Sequence, residues 1–137
     1  MTKITKQEIK GSVQTYSLGD FLIRIKNAAM AGNKEISVLG NKYMFSVASA
    51  MKKMGFLDEV KKEGAILTVR LAFKDKKPMI MNLKLLSKPG LRIYRTSIEL
   101  EKKKGPSTYV ISTPKGIISL REALKQRLGG EVIAEIW

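Results

Sequence analysis

Three short stretches of this chain place glycine or proline beside hydroxyls and cations, the mixture that holds a polyanion. The first is Ser87-Lys88-Pro89-Gly90-Leu91-Arg92-Ile93-Tyr94-Arg95. Pro89 sets one φ and Gly90 allows a positive one, so the pair reads as a tight turn. That bend would hold Lys88 and Arg92 near each other, and Tyr94 offers a flat face and a hydroxyl to a base or ribose. The second is Ser112-Thr113-Pro114-Lys115-Gly116, read as a turn entering a helix near Ser119. Short hydroxyls, N–H groups near a helix N-terminus and one Lys suit a phosphate or a sugar edge, although Pro114 brings no N–H of its own. The third is Leu128-Gly129-Gly130-Glu131, where two glycines let another backbone approach closely. Local chemistry alone favours an ordinary turn or helix cap at each stretch over a binding role.

Residue types that are absent exclude most other chemistry. The 137 residues contain no His and no Cys. There can be no Ser-His-Asp triad, no Cys-His pair, no imidazole or thiolate metal site, no disulfide and no redox dithiol. Only 12 acidic residues are available, and they are scattered with no carboxylate pair of defensible geometry. The glycines match neither a phosphate-binding Walker loop nor a dinucleotide fingerprint. The expectation is a chain with no catalytic residue, no metal, no cofactor and no small-molecule substrate.

The charge points toward nucleic acid. Against those 12 acids stand 26 Lys and Arg, giving a formal charge of +14 and a pI near 10.1. Solubility needs only about 2–8 charges on a small domain. Phosphate neutralisation releases counterions and gives a field of this size a partner. A membrane surface fits less well, because the cations are spread along the whole chain rather than gathered on one amphipathic helix. No apolar run is long enough to span a bilayer and the first residues lack a signal-peptide core, so the cytoplasm is the expected compartment.

At 44% hydrophobic the chain has enough apolar residues for a folded core. Residues 1–14 read as a flexible basic arm. Ser17 caps a helix whose Leu18, Phe21, Leu22, Ile25, Ala28 and Ala29 recur at helical spacing up to Gly32-Asn33. A strand follows at Ile36–Val38. Asn41 then caps a second helix, in which Met44, Met51 and Met54 beside Phe45 read as core. Phe56–Val60 and Ala65–Phe73 read as antiparallel strands joined by a turn at Lys61-Lys62-Glu63-Gly64. The charge-dense run Lys74–Pro78 marks a lobe boundary. Beyond it, Met79–Leu86, Arg92–Arg95, Thr108–Ser112 and Val132–Ile136 read as extended, with a basic loop at Glu101–Pro106 and one helix from Ser119 to about Leu128. The fold class is α+β. Residues 15–74 read as a helix-strand-helix-strand-strand α/β lobe and residues 75–137 as a mostly β lobe with one short helix.

Taken together, these stretches resemble the small-subunit ribosomal protein eight family of the bacterial type. The likeness is carried by Ser87–Tyr94, Val110–Ile118, Arg121-Glu122-Ala123 and Leu128–Ile133, and more loosely by Asp20–Ala28 and Gly55-Phe56-Leu57. It implies two small α/β lobes packed together, and binding to the central domain of small-subunit rRNA, mainly at an irregular internal-loop helix, with residues 75–137 as the RNA-binding lobe. It further implies contact with neighbouring ribosomal proteins and repression of its own operon through an mRNA that mimics the rRNA site. Irregular RNA suits this role because regular A-form grooves hide sequence.

By position, the resemblance assigns Ser112 and Thr113 to an exposed base and its sugar, and Lys88, Arg92 and Lys115 to phosphates. Tyr94 packs against the hydroxyl loop or touches a sugar. Pro89 and Gly90 form the bend, Gly116, Gly129 and Gly130 permit close approach, and Arg24, Lys26 and Asn27 approach a neighbouring backbone. The chain departs from the family pattern at Ser107 and Arg127, both usually Gly, and at Pro114, usually Ser. Competing readings are a free mRNA-binding regulator, a small enzyme acting on an acidic or phosphorylated substrate, and a basic protein-interaction module.

Overall fold

The computed structural model describes residues 18–88, 90–103 and 105–137. The expected arm at 1–14, the cap at Ser17 and the turn residue Pro89 lie outside the described residues. Two compact units divide between Met79 and Ile80.

In the first unit, helix α1 (Leu18–Met30) buries Phe21, Leu22, Ile25, Ala28 and Ala29, the apolar stripe expected of it. Strand β1 (Glu35–Leu39) follows, then helix α2 (Lys42–Lys53). Asn41 Oδ1 accepts from the Met44 N–H at 2.9 Å, a cap worth about 1 kcal/mol. Met44 and Met51 are fully buried; Met54 is half-buried at the helix end. Strands β2 (Leu57–Glu63) and β3 (Ile66–Leu71) complete an antiparallel sheet of order β1-β3-β2. The residues Lys61-Lys62-Glu63, expected in a turn, remain in β2 and pair with Thr68, Leu67 and Ile66. Charges are tolerated there because β2 is an edge strand, and charged edges also discourage pairing with other chains. The charge-dense run forms a small hairpin of β4 (Phe73–Lys74) and β5 (Lys77–Pro78) just before the division.

The second unit is built around its longest strand. Strand β10 (Gly130–Ile136) pairs with β6 (Leu83–Leu85), β7 (Tyr94–Arg95) and β8 (Thr108–Thr113), and β8 pairs with β9 (Gly116–Ser119), all antiparallel. Only three residues of the run Met79–Leu86 join the ladder as a strand. On either side, Met81 and Asn82 donate to the Trp137 carbonyl, and Leu86 and Ser87 to that of Ile133. Helix α3 (Ser97–Glu101) is a second short helix that hydrophobic periodicity did not reveal. Thr96 Oγ1 accepts from the Glu99 N–H while Glu99 Oε1 accepts from the Thr96 N–H, a reciprocal capping box. These Thr96 hydrogen bonds hold the Glu99 carboxyl below its ordinary pKa. Helix α4 (Leu120–Gln126) is capped by Ser119 and ends at Arg127, which takes the left-handed φ of +55°. It ends there rather than at about Leu128.

One face of this sheet carries a compact buried cluster. Leu100, Ile111, Leu120, Ala123 and Val132 are buried together, with Ile93 and Ile118 packed against them. Burial of each such large side chain contributes about 1.5–3 kcal/mol. Strand residues alternate in direction, so the neighbours of Ile93, Val132, Ile111 and Ile118 lie on the opposite face.

Candidate nucleic-acid interface

One end of that opposite face, across β7, β10, β8 and β9, is polar, whereas further along it Val110 and its partner Ala134 are buried. Tyr94 pairs with Glu131, Glu131 with Ser112, and Ser112 with Ile117 across β7, β10, β8 and β9. Directly opposed residues in an antiparallel ladder share a face. The four therefore form one row of an aromatic, a carboxylate, a hydroxyl and an aliphatic group. Tyr94 is 64% exposed. Ser112 Oγ has no hydrogen-bond partner among the described residues. Glu131 Oε2 lies 3.4 Å from Arg92 Nη1. Chemically, the row can stack a base on Tyr94, accept from a base amino group at Glu131, and both donate and accept at Ser112.

Two turns flank the row with cations. Lys88 and Leu91 close the first through both backbone hydrogen bonds, at 2.9 and 2.8 Å. Gly90, at φ +83°, supplies the conformation that a type II turn requires at its third residue. Lys88 and Arg92 are exposed on its two arms. Ser87 fixes this turn to β10: its Oγ donates to the Val132 carbonyl at 2.8 Å and accepts from the Ile93 N–H at 2.9 Å. Arg92 is already engaged with Glu131 rather than awaiting a phosphate alone. Arg92 is the exposed partner of this pair and Glu131 the largely covered one, with side chains 53% and 16% exposed.

The second turn corrects an expectation. Thr113 to Gly116 is the end of a β-hairpin, and strand β9 stands between it and helix α4. The loop therefore does not present the helix N-terminus to a ligand. Gly116 takes φ +120°, which closes the hairpin and leaves Pro114 and Lys115 exposed at its tip. Thr113 Oγ1 donates to the Gly116 carbonyl at 2.7 Å and accepts from the Lys115 N–H at 3.2 Å. Its hydroxyl pins the turn, whereas that of Ser112 is available.

The glycine pair has an internal reason. A Cβ on Gly130 would stand 2.0 Å from the Ser112 carbonyl oxygen, and one on Gly129 would stand 2.5 Å from that of Arg95. The close approach they allow is between this unit's own strands and turns. Arg24, Lys26 and Asn27 sit on α1 in the first unit. At about 100° per residue, Arg24 and Lys26 are about 200° apart and flank the buried stripe on opposite sides. Asn27 falls on the Arg24 side, and both are exposed. Ser87 and Glu131 are the two residues at this surface that local sequence reasoning missed. A hydroxyl flanking Pro-Gly was a signal for Ser87; Glu131 had none, because its significance comes from cross-strand register.

The model of the family described as Ribosomal protein S8 matches residues 17–137. The chain belongs to this family. It is thereby a structural ribosomal protein and not an enzyme. The small ribosomal subunit protein uS8 of Nitratidesulfovibrio vulgaris is 36% identical over 124 residues, 90% of this chain and 98% of that one. That of Prochlorococcus marinus (strain MIT 9215) is 37% identical over 127 residues, 88% and 96% of the two chains. That of Vesicomyosocius okutanii is 34% identical over 125 residues, 88% and 95%.

Within this S8-family chain, Ser107 has a structural role. Ser107 Oγ donates to Glu135 Oε2 at 2.6 Å, and the Tyr109 hydroxyl donates to the same oxygen at 3.2 Å. Lys103 Nζ stands 4.7 Å from the centre of the Tyr109 ring. Burial pushes the Tyr109 hydroxyl above its ordinary pKa. Among the described residues, no helix is long and apolar enough to cross a membrane, and no group of three acids could hold a metal ion.

Proposed function

We propose that this chain is a constituent of the small ribosomal subunit, that it binds the central domain of small-subunit rRNA, and that the second unit is its principal reader. The relatives carry the name of a small-subunit protein, which supports the setting. The observation that carries the reading is the Tyr94–Glu131–Ser112 row on the face opposite the Ile111–Val132 cluster. An aromatic, a carboxylate and a free hydroxyl suit splayed bases and exposed sugar edges, which irregular RNA offers and a regular duplex hides. Lys88, Arg92 and Lys115 supply sequence-independent phosphate contacts around it. Arg24, Lys26 and Asn27 add backbone contacts from the first unit. An mRNA that copies the shape of the rRNA site would bind the same surface, which would make the chain a repressor of its own operon. In the ribosome its other partners are neighbouring small-subunit proteins.

Two substitutions separate readout from charge. Ser112→Ala removes one hydroxyl contact and is expected to weaken binding to the central-domain RNA by about 1–2 kcal/mol, the cost of leaving its partner unsatisfied. Binding to a regular duplex should change little. Lys115→Ala should weaken both and reduce the slope of log K against log salt by roughly one unit. Filter or fluorescence titrations across a salt series read both effects. Equal losses on both RNAs for Ser112→Ala would remove the hydroxyl from the reading surface, and an unchanged slope for Lys115→Ala would remove the phosphate contact.

A further inference from the structure

The first unit's second hairpin breaks two local rules at its tip. Asp75 and Lys76 both take left-handed backbone, at φ +53° and +67°. Two successive positive φ angles make the primed turn that suits a two-residue hairpin, and its second place favours Gly. Lys76 holds that place, with a Cβ in a conformation that crowds the backbone. Lys74 and Lys77 also stand directly opposite each other in the ladder, where like charges repel. All three lysines are exposed, and none makes an ion pair among the described residues. Three lysines against one aspartate leave the four-residue turn at +2.

The neighbouring hairpin of the same unit shows the ordinary arrangement. There Lys61 Nζ lies 3.3 Å from Glu59 Oε1, and Lys62 Nζ donates to the Gly64 carbonyl at 2.6 Å. Its left-handed position is held by Gly64 itself. The Lys74–Lys77 tip has none of these compensations, yet its base is firmly held. Ala72 is buried, its N–H donates to the Phe56 carbonyl at 3.1 Å, and its carbonyl accepts from the Met79 N–H at 2.8 Å. Strain and repulsion are thus retained on an anchored mount. Local rules yield in this way where a site serves something other than stability.

We propose that Lys74, Lys76 and Lys77 form a phosphate-backbone contact for RNA on the first unit, beyond the residues assigned above. A strand of phosphates would relieve the repulsion between the two opposed lysines, which nothing in the described chain does. The contact carries no sequence information, so it raises affinity without altering which RNA is chosen. It rests on the rRNA-binding reading of the second unit.

The test uses the full chain, an rRNA central-domain transcript and a regular duplex of equal length, titrated across a salt series. Lys76→Gly should raise the melting temperature, because Gly fits the left-handed position, and yet lower the salt slope by about 0.7–0.9. Lys74→Gln with Lys77→Gln should lower the slope by about 1.5. The preference for the transcript over the duplex should stay unchanged in both variants. Unchanged slopes in a background where the unmodified chain keeps that preference would overturn the tip contact and leave the second unit's surface standing. If the unmodified chain shows no preference, the rRNA reading falls and the tip contact falls with it.

Discussion

Gly130→Ala is expected to destabilise the chain by about 3 kcal/mol, the upper end of what overpacking costs. The new Cβ would stand 2.0 Å from the Ser112 carbonyl oxygen and 2.9 Å from its carbon. Both neighbours are backbone, so no side-chain rotation can relieve the clash. Strands β10 and β8 would have to separate beside the Glu131–Ser112 pair. Those strands also bury Val132 and Ile111 in the core, so the loss extends beyond the turn. A drop of roughly 10 °C in the melting midpoint is the expected readout for a chain of this size. RNA binding should fail in parallel, because the same separation pulls Glu131 away from Ser112. A variant that melts within a degree or two of the original would show that these strands do not approach as described.

Tyr94→Ala is expected to leave folding nearly untouched and to weaken RNA binding. The ring is 64% exposed, so its removal should change stability by less than about 0.5 kcal/mol. A stacked base is worth about 1–3 kcal/mol, which corresponds to roughly a 5- to 150-fold loss of affinity. Tyr94→Phe should retain most of the binding, since it keeps the face and loses only the hydroxyl. If alanine binds the central-domain RNA as tightly as tyrosine, no base rests on this ring.

The sequence showed some parts of this structure and concealed others, for reasons that can be named. Helices α1 and α2 were legible because their apolar residues repeat over three turns or more, and because Asn41 caps the second. Helix α3 was not, since five residues are too few to show a period. Its signature was nevertheless present, as Thr96 with Glu99 three residues later. Strand β9 was concealed by its ends, where Gly116 read as a break and Ser119 as the start of a helix; both are true, but four paired residues lie between them. Strand β6 was overdrawn because the apolar run at Met79–Leu86 does not show which of its residues find a partner.

Local chemistry separated the candidate surface in the same way. Gly90 was readable from its turn dipeptide and Gly116 from its place beside Pro114-Lys115. The need for Gly130 was not, since what it avoids is a carbonyl eighteen positions away in sequence, at Ser112. Glu131 stood in sequence only as the residue after the glycine pair. Only the register of β7, β10 and β8 places its carboxylate between Tyr94 and Ser112. Ser87 was seen beside the turn, but its two hydrogen bonds to Val132 and Ile93 reach across the sheet.

The most direct measurement is the affinity of the purified chain for a small-subunit rRNA central-domain fragment against a regular duplex of equal length, across a salt series. Shape-specific readout by the Tyr94–Glu131–Ser112 surface predicts a preference of about a thousandfold that persists as salt rises. Equal affinity for both RNAs, collapsing together with salt, would contradict it and leave the +14 charge as the sole basis of binding.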